Sequence, residues 1–386
     1  MIDKQHIDHI IHEYFSRDHI LMHHQIESFN DLIDNILPEI ISNVFPIKFN
    51  IKKSGIDSVE FSIKNIKPQI PSYTEKNGCS KVMTPDIARI KNYTYSLPVI
   101  VDIIVENKMN DNSDIYELQN VILCKIPIVV KSKYCVYKED IFNECKYDTG
   151  GYFIVNGNEK VLITQEKVVP NIIHLYPSAN NNTKYQYISE VKSLSPEAFG
   201  VVKTCSIKLT NKPLIYDCKL YIKFPRIKKD LPISVVFRAL GCLTDKEILY
   251  NIIDNDNSEI DNVLIKILQY SLLENENIYT ELDAIKYISN HVNLSNNSFS
   301  DDIKLDYTKS IIKKDLLPHL CSDMKKIHFL GIMINKLLKY SLGLIEESNR
   351  DSYQNKRMEV AGVLMGNLIY QGMNKISKDI KLYINK

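Results

Sequence analysis

The chain has 386 residues, 44% apolar and 25% charged, with a formal net charge of +1. That length and composition suit a soluble globular protein with cores for two or three domains. Near-neutrality excludes a global basic field, so any nucleic-acid contact has to come from local patches.

Residues 3 to 16 form the first predicted helix, with Asp3 as cap and Ile7, Ile10, Ile11, Tyr14 and Phe15 on one face. Six of the ten histidines lie in the first 24 residues, and His6, His9 and His12 are three apart. Steps of three drift around a helix and no carboxylate or Cys joins them at ligand spacing. They read as solvated side chains rather than a metal site. A second helix is predicted from Gln25 to about Asn43, interrupted by Pro38. From Phe45 the period turns toward two, giving strands at 46–56 and 59–66, then an apolar strand at 97–105. Residues 106–113 read as a polar loop, and 116–130 as a returning strand whose Pro127 marks an edge or a strand start.

Lys131, Lys133 and Lys138 interleave with Tyr134 and Tyr137. That pattern suits either a backbone-contacting basic patch or an edge strand guarded by lysines. Gly150-Gly151 releases the strand 152–155, Asn156-Gly157 suits a tight hairpin turn, and 160–163 returns toward the polar run Gln165-Glu166-Lys167. Strands resume near 185–191 and 201–209. The densest basic cluster follows, with Lys223, Arg226, Lys228 and Lys229. The pattern then turns helical at 245–253, 262–273, 280–291, 307–317 and 325–344, with acidic, Asn-rich connectors at 254–261 and 293–302. From Met358 a helical apolar stripe runs to the last turn with no stop signal, so this end is expected to be cut or docked on another polypeptide.

Eight cysteines are scattered without a C-x-x-C pair, which argues against a zinc site and for free, mostly buried thiols. No signal peptide is legible, and no run reaches the ~18 apolar residues of a membrane span. No phosphate-binding loop, dinucleotide fingerprint, nucleophile elbow or zincin motif occurs. The acidic pairs Asp254/Asp256 and Asp301/Asp302 fall in connectors that cannot clamp Mg²⁺. No catalytic residue and no metal ligand is assigned.

Five stretches, in order, carry a family resemblance: QIESFNDLIDNILPEII, ARIKNYTYSLPVIVD, residues 125–171, IKKDLPISVVFRALGCLTDKEIL, and blocks within 313–380 that include NRDSYQNKRMEVAGVLMGNL. They resemble the second-largest subunit of multisubunit DNA-dependent RNA polymerases, in the lineage of eukaryotes, archaea and large DNA viruses. The resemblance implies an α+β fold: a protrusion domain from 1–166, an inserted lobe from 167–349, and a helical return to the protrusion at 350–386. It also implies that Gln165, Glu166 and Lys167 face the DNA cleft near the RNA–DNA hybrid, and that Arg350, Lys356 and Arg357 lie near phosphates. The plainer alternatives are an ion pair between Glu166 and Lys167 and a helix N-terminal surface at Lys356-Arg357. Ser352 stands where relatives commonly carry His, and Asn355 where they carry Gly, Asn being the next residue to accept a left-handed turn.

The resemblance further implies a subunit of an enzyme that extends RNA on a DNA template and is inactive alone. Its Mg²⁺ is held by the largest subunit, and its Zn²⁺ lies in parts of the second subunit outside these residues. Expected partners are the largest subunit, the remaining C-terminal part of the second-largest subunit, DNA, the RNA–DNA hybrid and initiation factors, with no membrane. The expected location is the nucleus, or a virion or cytoplasmic viral factory. The rival reading is a non-enzymatic polymerase fragment that works alone as a scaffold or binding module.

Overall fold

A computed structural model describes residues 4–16, 20–50, 58–109, 112–136, 145, 147–178, 184–195, 200–212, 217–253, 259–274, 278–293 and 300–384. Lys138, residues 51–56 of the first predicted strand and the Asp254/Asp256 pair lie outside them. The chain divides into two units: Met1–Lys167 with Met358–Lys386, and Val168–Arg357.

The first unit begins with α1 (Lys4–Phe15), none of whose residues is buried; Ile10 and Phe15 are each 63% exposed. The amphipathic stripe is present but exposed. The helix predicted across Pro38 is three pieces: α2 (His23–Asp31), a π-helical stretch (Leu32–Ile36) and α3 (Leu37–Val44). Proline lacks the N–H that an interior helical position needs. Here the Leu37 N–H reaches back to the Leu32 carbonyl and Pro38 falls in the first turn of α3, where a missing donor costs little. The extra residue of the π turn keeps Phe29, Leu32, Ile33, Leu37, Ile40 and Ile41 buried on one side.

A four-stranded antiparallel sheet follows, in the order β1 (Ile47–Asn50), β2 (Ser58–Pro68), β5 (Ser96–Met109), β6 (Asn112–Pro127). Between β2 and β5 lie the short hairpin β3 (Ser72–Thr74) and β4 (Ser80–Val82), and α4 (Pro85–Ile90), capped by the Thr84 hydroxyl. Pro127 closes edge strand β6, as its missing donor requires. Of the polar segment 106–113, residues 110–111 lie outside the described residues, and residues 106–109 and 112–113 are strand rather than loop: Glu106 pairs with Ile115 and Asn107 with Asp114. The register of β5 slips on both sides of Asp102, and one carboxylate serves both irregularities. It accepts from the Asn120 backbone N–H at 2.9 Å and the Asn65 side chain at 2.8 Å, and both asparagines have positive φ.

β7 (Phe153–Val155) and β8 (Asn158–Lys160) form the predicted hairpin around Asn156 (φ 50°) and Gly157 (φ 77°). A Cβ on Gly157 would come within 2.9 Å of the Asn92 backbone, so both conformation and space call for glycine there. The returning strand is shorter than expected and stops at Lys160. Residues 165–168 instead form β9 (Gln165–Val168), paired with β15 (Lys356–Glu359). The unit closes with α11 (Ala361–Ile384), packed on α2 and α3.

The second unit is an antiparallel meander, β10 (Ile173–Pro177), β11 (Tyr185–Ser193), β12 (Lys203–Thr210), β13 (Leu220–Lys223) and β14 (Leu231–Pro232), followed by helices. These are α5 (Ile233–Ala239), α6 (Asp245–Ile252), α7 (Glu259–Leu273), α8 (Glu281–Ser289), α9 (Asp301–Lys314) and α10 (Asp323–Ser341). Thr244, Thr280 and Ser322 cap α6, α8 and α10, and Thr244 forms a reciprocal box with Glu247. All residues of α5 are buried. Asp301 and Asp302 open α9 rather than sitting in a connector, where they oppose the positive end of the helix dipole. Lys326, 1% exposed, donates to the carbonyls of Ile312 (3.0 Å) and Lys313 (2.9 Å), which α9 leaves without helical partners.

Candidate nucleic-acid interface

The candidate residues fall into four places. In the first unit, Gln165 and Glu166 are exposed on β9, as strand residues rather than a hairpin tip. Lys167 pairs with Glu359 at 2.7 Å. A neutralised, half-covered lysine is a poor phosphate ligand, so Gln165 and Glu166 are what this strand presents to solvent.

Lys131 and Lys133 sit in turns rather than on an edge strand, and Lys138 lies outside the described residues. Lys131, with φ 67°, donates to the Asp148 carbonyl. Lys133 and Tyr134 both hydrogen-bond the Asp34 carboxylate, with Lys133 Nζ at 2.9 Å. The Tyr134 hydroxyl, then Lys133, hold the Asp34 carboxyl below its ordinary value.

In the second unit, Lys223, Lys228 and Lys229 are exposed at the end of β13 and the turn after it. Arg226 is engaged: its Nε lies 3.1 Å from Asp315, a buried carboxylate that also takes Lys203 at 3.1 Å. The cluster therefore offers three open lysines and one structural arginine.

The segment 349–357 is the most organised. The Asn349 side chain accepts from the backbone N–H of Asp351 (3.0 Å) and Ser352 (3.1 Å), which turns the chain locally. Asn355 closes the turn by donating to the Asn349 carbonyl at 2.7 Å. It lies in a short 3-10 turn and does not have positive φ, so the left-handed expectation is replaced by a side-chain bond. Lys356 opens strand β15, not a helix; its side chain is 19% exposed and its Nζ lies 3.9 Å from Asp351. Arg357 is exposed and donates to the carbonyls of Lys356 (2.8 Å) and Gln354 (3.2 Å), which leaves the rest of its fork toward solvent.

Arg350 is exposed and stacks on the Tyr176 ring, 3.8 Å from guanidinium carbon to ring centroid. The Tyr176 hydroxyl donates to Glu190 at 2.5 Å, across the β10–β11 pair in which His174 stands opposite Glu190. Burial, then the bond to Glu190, pushes the Tyr176 hydroxyl up to about 12. His174 is buried and its ring nitrogens make no hydrogen bond among the described residues. Burial, then the charge of Arg350, holds its pKa below the usual histidine value. None of these supports was legible beforehand: the signal is the cross-strand register of His174, Tyr176 and Glu190, which needs the pairing of β10 with β11.

Among the described residues no group of three or more His, Cys, Asp or Glu side chains is placed to hold a metal ion. No described helix is long and apolar enough to cross a membrane. All eight cysteines are thiols outside any disulfide, with Cys205, Cys218 and Cys242 buried but Cys79, Cys145 and Cys321 exposed, so burial is less general than expected.

The family model described as RNA polymerase beta subunit matches residues 20–386. The DNA-directed RNA polymerase II subunit 2 of Arabidopsis thaliana is 32% identical over 98% of this chain and 34% of its own length. The RPB2 subunit of RNA polymerase II from Encephalitozoon cuniculi is 29% identical over 99% of this chain and 34% of its own. The subunit Rpo2N of the DNA-directed RNA polymerase of Methanocaldococcus jannaschii is 31% identical over 98% of this chain and 74% of its own. The chain thus spans about a third of the two eukaryotic relatives and about three quarters of the archaeal one.

Proposed function

The chain belongs to the RNA polymerase beta subunit family, as the N-terminal part of a second-largest subunit, and we propose that it walls the DNA cleft of a template-directed RNA polymerase. The match across residues 20–386 carries this reading. In it the first unit is the protrusion and the second the lobe. Gln165 and Glu166 face the cleft, and Arg350 and Arg357 position phosphates without reading bases. The exposure of these four side chains supports the assignment. Lys167 and Lys356 act through the ion pairs that hold their strands.

The largest subunit and the rest of the second-largest subunit are the proposed partners, with DNA, the RNA–DNA hybrid and initiation factors. Asp301 does not suit a metal clamp, being 95% exposed and paired with Lys304. In this reading the Mg²⁺ chemistry belongs to the largest subunit. The proposed location is the compartment where such a polymerase transcribes, a nucleus or a viral factory.

The rival is a stand-alone scaffold built from the same fold. Affinity purification of the tagged chain from its source separates the two. Recovery with the largest subunit and a downstream second-subunit segment is expected; a monomer that ignores both supports the scaffold.

A further inference from the structure

Arginine side chains on a protein surface lose rotamer freedom when they grip a phosphate, and a side chain already fixed loses less. Arg350 is exposed yet fixed, 3.8 Å above the Tyr176 ring. The ring is itself anchored, because Tyr176 lies on β10 and its hydroxyl donates to Glu190 of β11 at 2.5 Å. From the other side, Ser348 Oγ accepts the Leu175 N–H at 2.9 Å and the Ser348 N–H donates to the Leu175 carbonyl at 3.0 Å. The segment bearing Arg350 is therefore clipped to β10 beside the ring that receives it. Tyr176 and Arg350 also line a cavity of about 490 Å³, but Glu347 and Asp351 line it too. Two carboxylates make its interior unsuited to an anion, so the ligand-facing group is the solvent side of the guanidinium.

We propose that Tyr176 and Glu190 are positioning residues, which hold the Arg350 guanidinium in a fixed orientation for a nucleic-acid phosphate. The inference rests on the phosphate-contact reading above. The ring supplies a cation–π platform, and the carboxylate fixes the tilt of the ring through its hydroxyl. Neither touches the nucleic acid.

The test uses the full chain and a fluorescent DNA–RNA hybrid, with affinity read by anisotropy. Tyr176→Leu is expected to weaken binding about two- to fivefold, the equivalent of an exposed cation–π contact. The same change in an Arg350→Gln background is expected to do nothing further. Glu190→Gln, which still accepts the Tyr176 hydroxyl, is expected to stay near the parent, while Glu190→Ala falls toward Tyr176→Leu. An equal loss with and without Arg350 overturns the proposal. A separate arm reads the Arg350 side-chain resonances by NMR, which the ring current displaces; Tyr176→Leu is expected to return them to ordinary values. Unmoved resonances overturn the positioning role whatever the binding shows. Arg350→Gln without effect on affinity, with resonances that do respond, overturns the phosphate-contact reading instead.

Discussion

Gln25 and Ala361, 336 residues apart in the sequence, share a hydrogen bond of 3.0 Å. Gln25 is 5% exposed; its Oε1 accepts the Ala361 N–H while its Nε2 donates to the Leu162 carbonyl at 3.3 Å. Three residues on, Ser28 Oγ accepts the Gly362 N–H at 3.0 Å. Helix α2 thus supplies from a distance the caps that the first turn of α11 lacks locally, and it closes the first unit over the point where the chain returns to it.

Removing those caps should loosen α11. Gln25→Ala and Ser28→Ala are each expected to cost about 1 kcal/mol of unfolding free energy, seen as lower urea midpoints and faster amide exchange at Ala361 and Gly362. Gly362→Ala should be worse, although alanine is the better helix former by about 0.5–1 kcal/mol. Its Cβ would stand 2.0 Å from the Ser28 carbonyl oxygen, a clash on the scale of overpacked cores, about 1–3 kcal/mol. An unchanged midpoint for Gly362→Ala would contradict the close approach of α11 to α2.

The buried Lys326 gives a second test. Lys326→Met keeps most of the stem but leaves the Ile312 and Lys313 carbonyls without their donor. Two unsatisfied buried acceptors cost about 1–3 kcal/mol each, partly offset because the ammonium no longer has to be desolvated. A net loss of about 2 kcal/mol in chemical denaturation is expected. A variant as stable as the parent would mean those carbonyls find water.

Acid should weaken the second unit before the carboxylates titrate. Burial is the first cause holding His174, His291 and His319 below the ordinary value of 6.5. Their unfolded forms take up protons first, so the stability they contribute is complete above pH 6.5 and is lost as pH falls through the folded values below it. The urea midpoint at pH 5.5 should therefore lie below that at pH 7.5, and His174→Leu should reduce the difference. A flat profile across this window would contradict the neutral burial of these rings.

Much of this architecture was legible. The helices predicted at 245–253 and 280–291 appear as α6 and α8 within two residues of those bounds, and Pro127 marks an edge strand because a missing N–H has few other places in a sheet. What escaped reading depends on partners distant in sequence. The hairpin back strand ends at Lys160 because β9 pairs with β15, almost two hundred residues away. The stripe of α1 reads as buried, yet a stripe carries no information on whether a partner is present. For the candidate site, only the family resemblance of the 350–357 block pointed to Arg350 and Arg357. The supports of Arg350 lie on β10 and β11, whose register no local pattern reveals.

In the proposed reading, exposure separates contact from support among the basic residues of the 350–357 segment. Arg357→Gln should weaken hybrid binding and lower the slope of log affinity against log salt by about 0.7–0.9, the value of one phosphate contact. Lys356→Gln should leave that slope unchanged and act through stability, since its side chain is 19% exposed and lies against Asp351. The reverse pattern would exchange the two roles.

The central claim is that this chain works inside an RNA polymerase. The most direct measurement is template-directed incorporation of nucleotides by the assembly that copurifies with the tagged chain, followed through a sedimentation gradient. Activity that peaks with the chain, far above its monomer mass, and that falls when the chain is immunodepleted is the predicted result. Activity that sediments away from the chain and survives its depletion would contradict the account.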